Sequence, residues 1–205
     1  LTGLRAVIDL TASLGSHACA INADQNMYCW GDNREGQLGT GSPGSEPDPA
    51  YTAKNQQWID VDAGLAHTCA VSTAGTLWCW GNNDDGQHGV GTIGAGSPTP
   101  VQVGTKSTWR SVSAAARHTC AIDGANGALY CWGRGDLGQL GNGAWVDSPA
   151  PVLVDPGPWD MVGAGTYATC AVKTDESLHC WGHGLSGLLA DGSAWSLTPV
   201  PVVFP

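Results

Sequence analysis

The chain has 205 residues, 42% hydrophobic and 13% charged, with 30 Gly and 12 Pro; that is apolar enough for a packed core and rich in turn formers, so a disordered chain is not expected. Its formal net charge is −10, with eight Lys plus Arg against 18 acidic residues and no basic run, which argues against direct nucleic-acid binding and against attraction to an anionic membrane. No stretch reaches the ~20 apolar residues of a membrane span, and with neither an initiator Met nor a signal peptide at Leu1 we read the chain as a mature or excised piece.

Along the chain one unit recurs four times. Its anchor reads MYCWGDNREGQLGTG from Met27, LWCWGNNDDGQHGVG from Leu77, LYCWGRGDLGQLGNG from Leu129 and LHCWGHGLSGLLADG from Leu178. The anchors are 50, 52 and 49 residues apart, a period that signals a propeller or solenoid. The expected boundaries are 1–49, 50–100, 101–151 and 152–205, forming one repeat array rather than separate domains. TPVPVVFP stops where another leading strand would begin, and LTGLRAVIDL could supply that strand, so strand exchange between the termini is also expected.

Within a unit the first predicted strand is Trp-x-x-Val, led by Trp58, Trp109 and Trp159 and lacking its Trp in the first copy. A small-residue run leads to the second strand, His-x-Cys-Ala, with His17, His67 and His118 in one register and Tyr167 read as their counterpart in the fourth copy. A turn rich in Gly, Asp and Asn leads to the third strand, Cys-Trp-Gly. Both strands alternate as half-buried strands do. A Gly-Gln-Leu-Gly loop and a Pro-rich fourth strand close the unit.

The cysteines face each other across these hairpins. Residues opposed in an antiparallel hairpin have a constant index sum, which centres Cys19 with Cys29 on Asp24, Cys69 with Cys79 on Ala74 and Cys170 with Cys180 on Asp175; Cys120 with Cys131 carries one extra residue. Opposed, non-hydrogen-bonded positions lie ~4.5 Å apart at Cα, within disulfide reach. Four bridges would each stabilise a hairpin by roughly 2–3 kcal/mol on the chain-entropy model and imply an oxidising compartment. Competing readings are a zinc site, which would want Cys-x2-Cys or tighter Cys/His spacing, a redox Cys-x-x-Cys, which is absent, and free buried thiols acting as small hydrophobes.

Taken in order, Trp-x-x-Val, Ala-Gly-x-x-His-Thr-Cys-Ala, Cys-Trp-Gly, Gly-Gln-Leu-Gly-x-Gly and Pro-x-x-Val resemble the regulator of chromosome condensation repeat family over the whole chain, best seen in WIDVDAGLAHTCAVSTAGTLWCWGNNDDGQHGVG from Trp58 to Gly91. The resemblance implies an all-β fold, a β-propeller with one four-stranded blade per repeat; four repeats make four blades, each with the cross-strand disulfide expected from its hairpin register, either a small ring or part of a larger ring of the family's usual seven blades or an assembly. It also implies a structural hydrogen bond for His17, His67 and His118, against the alternative of a ligand ring. His88, His179 and His183 share no register and no metal spacing.

For function, the Gly-Gln-Leu-Gly segments lack the lysine and hydroxyl of a phosphate loop and read as tight turns. Trp30, Trp80, Trp132 and Trp181 read as core wedges, whereas Trp145 and Trp195 sit in the variable loops and are either caps on neighbouring blades or binding hot spots. Together with Arg34 and Asp84 they form the candidate interaction loops. Acidic residues such as Asp24, Glu35, Asp85, Asp136 and Asp175 read as solvated turn residues. No nucleophile and base recur together, so an enzyme, a metal and a cofactor are not expected. The expectation is a non-catalytic, secreted propeller that binds a protein partner or self-assembles; the alternative is a lectin-like propeller with one similar sugar pocket per blade.

Overall fold

The computed structural model describes residues 6–52 and 54–204. Sixteen strands form four antiparallel sheets, each of four strands consecutive in the chain. Blade 1 holds β1 (Val7–Ala12), β2 (His17–Asn22), β3 (Met27–Gly31) and β4 (Glu46–Thr52); blade 2 holds β5 (Trp58–Ala63), β6 (His67–Ser72), β7 (Leu77–Gly81) and β8 (Ser97–Gln102). Blade 3 holds β9 (Trp109–Ala114), β10 (His118–Asp123), β11 (Leu129–Gly133) and β12 (Ser148–Asp155), and blade 4 holds β13 (Trp159–Ala164), β14 (Ala168–Lys173), β15 (Leu178–His183) and β16 (Trp195–Pro201). The first strands pack on one another, β1 on β5, β5 on β9 and β9 on β13, so they form the inner edge. The outer strands carry paired prolines, Pro47 with Pro49, Pro98 with Pro100, Pro149 with Pro151 and Pro199 with Pro201. A proline lacks the N–H that a further strand would need, so these edges resist strand addition.

All eight cysteines are bridged as the hairpin register predicts: Cys19–Cys29, Cys69–Cys79, Cys120–Cys131 and Cys170–Cys180, with Cα–Cα distances of 4.0–4.1 Å. Each bridge spans directly opposed residues of the second and third strands. They are also core residues, because hydrophobic packing lies between blades rather than inside them. Cys19, Ile21, Met27, Cys29 and Leu38 of blade 1 pack against Trp58, Val61, Ala70 and Trp80 of blade 2, and the same pattern fills the next two seams. Burial of a large apolar side chain is worth about 1.5–3 kcal/mol, so each seam is a core in its own right.

A polar lock runs through each of these cores. Gln37 O accepts two bonds from blade 2, from Thr68 Oγ1 at 2.7 Å and from Trp80 Nε1 at 2.8 Å. Gln87 O accepts from Thr119 and Trp132, and Gln139 O from Thr169 and Trp181, at 2.9–3.0 Å. Because each threonine spends its hydroxyl proton on that carbonyl, the histidine beside it must be the donor: His17, His67 and His118 Nε2 lie 2.8–3.0 Å from Thr68, Thr119 and Thr169 Oγ1. Burial holds these imidazoles neutral, pushing His17 down to about 4, His118 to about 3 and His67 well below its ordinary value. The histidines are structural, as the resemblance implies.

The fourth copy differs from its sequence reading. The ladder pairs Ala168 with Gly182 as it pairs His17 with Gly31, His67 with Gly81 and His118 with Gly133, so Ala168, not Tyr167, holds the histidine position. Tyr167 lies one residue earlier and is 44% exposed. Among the Cys-Trp-Gly tryptophans, Trp80, Trp132 and Trp181 are fully buried wedges, while Trp30 is half-buried because the described residues place no blade before it.

The glycine under each wedge shows how close the seams are. Gly89 has φ +74°, and a Cβ there would lie 2.6 Å from Trp132 Nε1, whereas Gly91 at φ +88° has open space. Gly91→Ala should therefore cost only the left-handed backbone term, about 1–2 kcal/mol. Gly89→Ala should cost a further 1–3 kcal/mol or so through overpacking. Chemical denaturation of the two variants checks the difference.

Candidate functional site

The connections between third and fourth strands form a loop face, and each is tied down locally. Asn33 Oδ1 accepts Leu38 N and its Nδ2 donates to Ser42 O; Asn83 does the same with His88 N and Thr92 O. Gln37, Gln87 and Gln139 each fold back so that Oε1 accepts the backbone N–H two residues earlier. The loops of blades 1, 2 and 3 are then pinned to the outer strand of the next blade, by Gly41 N to Pro98 O, Gly91 N to Pro149 O and Gly143 N to Leu197 O.

That last tether unites two of the residues singled out from the sequence. Trp145 lies two residues beyond Gly143, and Trp195 lies two before Leu197, so the tether draws the indoles together edge to face with centroids 6.2 Å apart. They remain 45% and 57% exposed, and Val146 beside Trp145 in the chain is exposed too, as are Leu185 and Leu188 of the β15–β16 connection. The pair therefore bridges blades 3 and 4 on the loop face and still offers aromatic surface to solvent. Arg34 and Asp84 sit on the corresponding loops of blades 1 and 2. Arg34 is held by Asp32 at 2.9 Å, and Asp84 accepts from Asn82 Nδ2 at 2.9 Å. Exposed contacts of this kind add little stability; the structure brings Trp145 and Trp195 together and leaves Arg34 and Asp84 on separate loops.

The sequence reading missed a row of polar side chains on the inner edge. Val61 N donates to Asp9 Oδ2, Val112 N to Asp60 Oδ2 at 2.6 Å, Ala63 N to Thr11 Oγ1, Ala114 N to Asp62 Oδ2 and Ala164 N to Ser113 Oγ. Each blade thus satisfies the free edge N–H groups of the next one, which would otherwise be unpaired. The detectable signal is the recurrence of Asp or Ser two residues after the leading position, in Asp9, Asp60 and Ser111, and of Thr, Asp or Ser four after it. Burial raises the Asp60 carboxyl to about 7, opposed by the Val112 N–H and assisted by the Asp9 and Asp62 charges. These carboxylates are engaged with backbone, and among the described residues no group of three or more His, Cys, Asp or Glu is placed to hold a metal. No helix among the described residues is long and apolar enough to cross a membrane.

Four consecutive four-stranded sheets joined through inner edges and tryptophan-filled seams define four blades of the β-propeller type. Sequence profiles of the regulator of chromosome condensation (RCC1) repeat match residues 24–71, 74–122 and 126–172, and a second profile of that repeat matches 7–37, 58–87 and 109–139. The chain belongs to the RCC1 repeat family. Similar folds occur in yeast RCC1 (Prp20), solved bound to Kap60, at TM-score 0.85 and 21% identity over 100% of this chain and 50% of that one. Human WBSCR16 matches at TM-score 0.81 and 19% identity over 95% of this chain and 51% of the other. The ectodomain of the Arabidopsis thaliana receptor kinase ACR4 matches at TM-score 0.54 and 18% identity, covering 97% and 53%. The chain thus spans about half the length of the structures it matches.

The Asp60 environment fixes a direction for pH dependence. Its folded value lies above the unfolded one, so the folded state holds the proton more tightly and stability falls as pH rises from about 4 to about 7. Asp60→Asn should raise the melting temperature at pH 8, with the gain shrinking to nothing below about pH 4. Thermal unfolding of both proteins across that range tests it.

Proposed function

We propose that this chain is a non-catalytic, extracellular protein-interaction module whose loop face engages a protein partner, with Trp145 and Trp195 as the anchor. The half-exposed, mutually supported indole pair carries the reading. Tryptophan is enriched at interaction hot spots, and a ring already ordered by its neighbour loses little freedom on binding. The four disulfides support the compartment, since such bridges persist where the medium is oxidising. The solved relatives lend it precedent: yeast RCC1 was crystallised with Kap60, and the ACR4 match is a receptor ectodomain. Eight scattered basic residues against 18 acids favour a partner that does not require a cationic groove.

Two measurements test this. Protein recovered without reductant from its source should have an intact mass about 8 Da below the fully reduced chain, two hydrogens lost per bridge; the reduced mass would remove the extracellular assignment. Crosslinking in the extracellular fraction should yield a discrete adduct that Trp145→Ser with Trp195→Ser weakens by about tenfold or more, while circular dichroism stays unchanged. An adduct indifferent to both substitutions would remove the indole pair from the site.

A further inference from the structure

The outer rim between blades 1 and 2 carries a second feature, separate from the Trp145–Trp195 pair and reaching Gly39 and Thr40 of the blade 1 loop. A cleft of about 540 Å³ opens there, walled by Tyr51 and Trp78 and edged by Asn55, Gln56, Thr99 and Lys54. Both rings are fixed. Trp78 Nε1 donates to Thr76 Oγ1 at 2.9 Å, and Tyr51 donates from its hydroxyl to Asn26 Oδ1 at 3.0 Å while stacking on Tyr28 at 5.3 Å.

The next blades show what normally happens at this place. In blade 3 the residue equivalent to Trp78 is Tyr130, and Lys106 lies over it at 4.4 Å and over Trp109 at 4.9 Å, paired with Asp123 at 2.6 Å. In blade 4 Lys173 lies over Trp159 at 4.8 Å and pairs with Asp155 at 3.5 Å. A cation over an aromatic face is favourable, and the carboxylate holds it there. In blade 2 both charges are gone. The residue three before the leading Trp is Asn55 instead of Lys106, and the partner of that Trp in the ladder is Ser72 instead of Asp123. Ser72 Oγ turns to Thr76 Oγ1 at 2.7 Å. The exchange leaves an open aromatic wall bordered by amides and hydroxyls, with Lys54 5.8 Å from the Tyr51 ring as the one charge at its edge.

We propose that this cleft is a binding site for a neutral pyranose oligosaccharide. A hexose presents an apolar C–H face and a rim of vicinal hydroxyls, each donor and acceptor at once. Trp78 offers the flat apolar platform, and the side-chain amides of Asn55 and Gln56 offer both donor and acceptor in fixed pairs. A charged ligand would find no carboxylate and only Lys54 among the lining residues. Among the described residues blades 3 and 4 each set a lysine against the neighbouring aromatics, Lys106 over Tyr130 and Lys173 over Trp159, so the open platform is assigned to blade 2 and not to every blade.

The test is calorimetric titration of the 205-residue chain with cellohexaose, laminarihexaose and mannohexaose, alongside hexagalacturonate and decaproline. At least one neutral hexasaccharide should bind saturably, with Kd of about 0.1–1 mM. Trp78→Ala should weaken it about tenfold or more. Asn55→Lys with Ser72→Asp copies the pair of the next blade, so it should abolish binding without lowering the melting temperature, and Trp145→Ser should leave binding unchanged. Failure of every neutral hexasaccharide to bind overturns the proposal. So does binding that survives Asn55→Lys with Ser72→Asp, binding lost on Trp145→Ser, or preferential binding of hexagalacturonate or decaproline.

Discussion

One backbone carbonyl per seam, that of Gln37, Gln87 or Gln139, holds neighbouring blades together. It sits at the bottom of a seam and accepts both the indole N–H and the threonine hydroxyl of the following blade. Buried polar groups are tolerated only when paired, and here the pairing runs between blades. The same carbonyl orients the threonine to receive the histidine proton, and its turn needs glycine at positive φ so that the indole can lie against the backbone. Packing, tautomer and turn geometry therefore share a single origin. Exposed ion pairs such as Arg34 with Asp32 add little by comparison.

The lock also explains where the repeat relaxes. Blade 4 has Ala168 for the histidine, Leu188 for the glutamine and Ala190, at φ +58°, for the glycine that lies under the next wedge. Blade 1 has Ala18 for the threonine and Val7 for the leading tryptophan. Both deviations fall on faces that meet no neighbouring blade among the described residues, and Val7, Leu10, Leu14 and Leu188 are accordingly exposed. On the loop face and the outer rim the scaffold is constant while Trp145, Trp195, Asn55 and Ser72 vary, as expected where binding is laid over a structural repeat.

Much of this was readable from residues alone. The blade count, the hairpin register and the four cysteine pairs follow from index sums and period, because ladder geometry is fixed by pairing. The histidine assignment followed from recurrence in one frame, but its fourth member was misplaced: an aromatic Tyr167 drew the alignment one residue away from Ala168, whose position only the ladder defines. The lock itself escaped detection since its acceptor is a main-chain carbonyl, identical in every residue type, and the Gly-Gln-Leu-Gly loops were read as turns only. Long-range partners also escaped. Asp60 reads as an ordinary acid until Val112 of the next blade is placed against it, and the meeting of Trp145 with Trp195 depends on a tether from Gly143 to Leu197.

The indole-to-carbonyl lock opens only when a seam opens. Hydrogen exchange of assigned indole N–H protons, followed by NMR in the 205-residue chain, measures this directly. Trp80, Trp132 and Trp181 should exchange only through unfolding of whole blades, with protection approaching the global stability, while the half-buried Trp30 should exchange orders of magnitude faster. Equal, rapid exchange of all four indoles would contradict it.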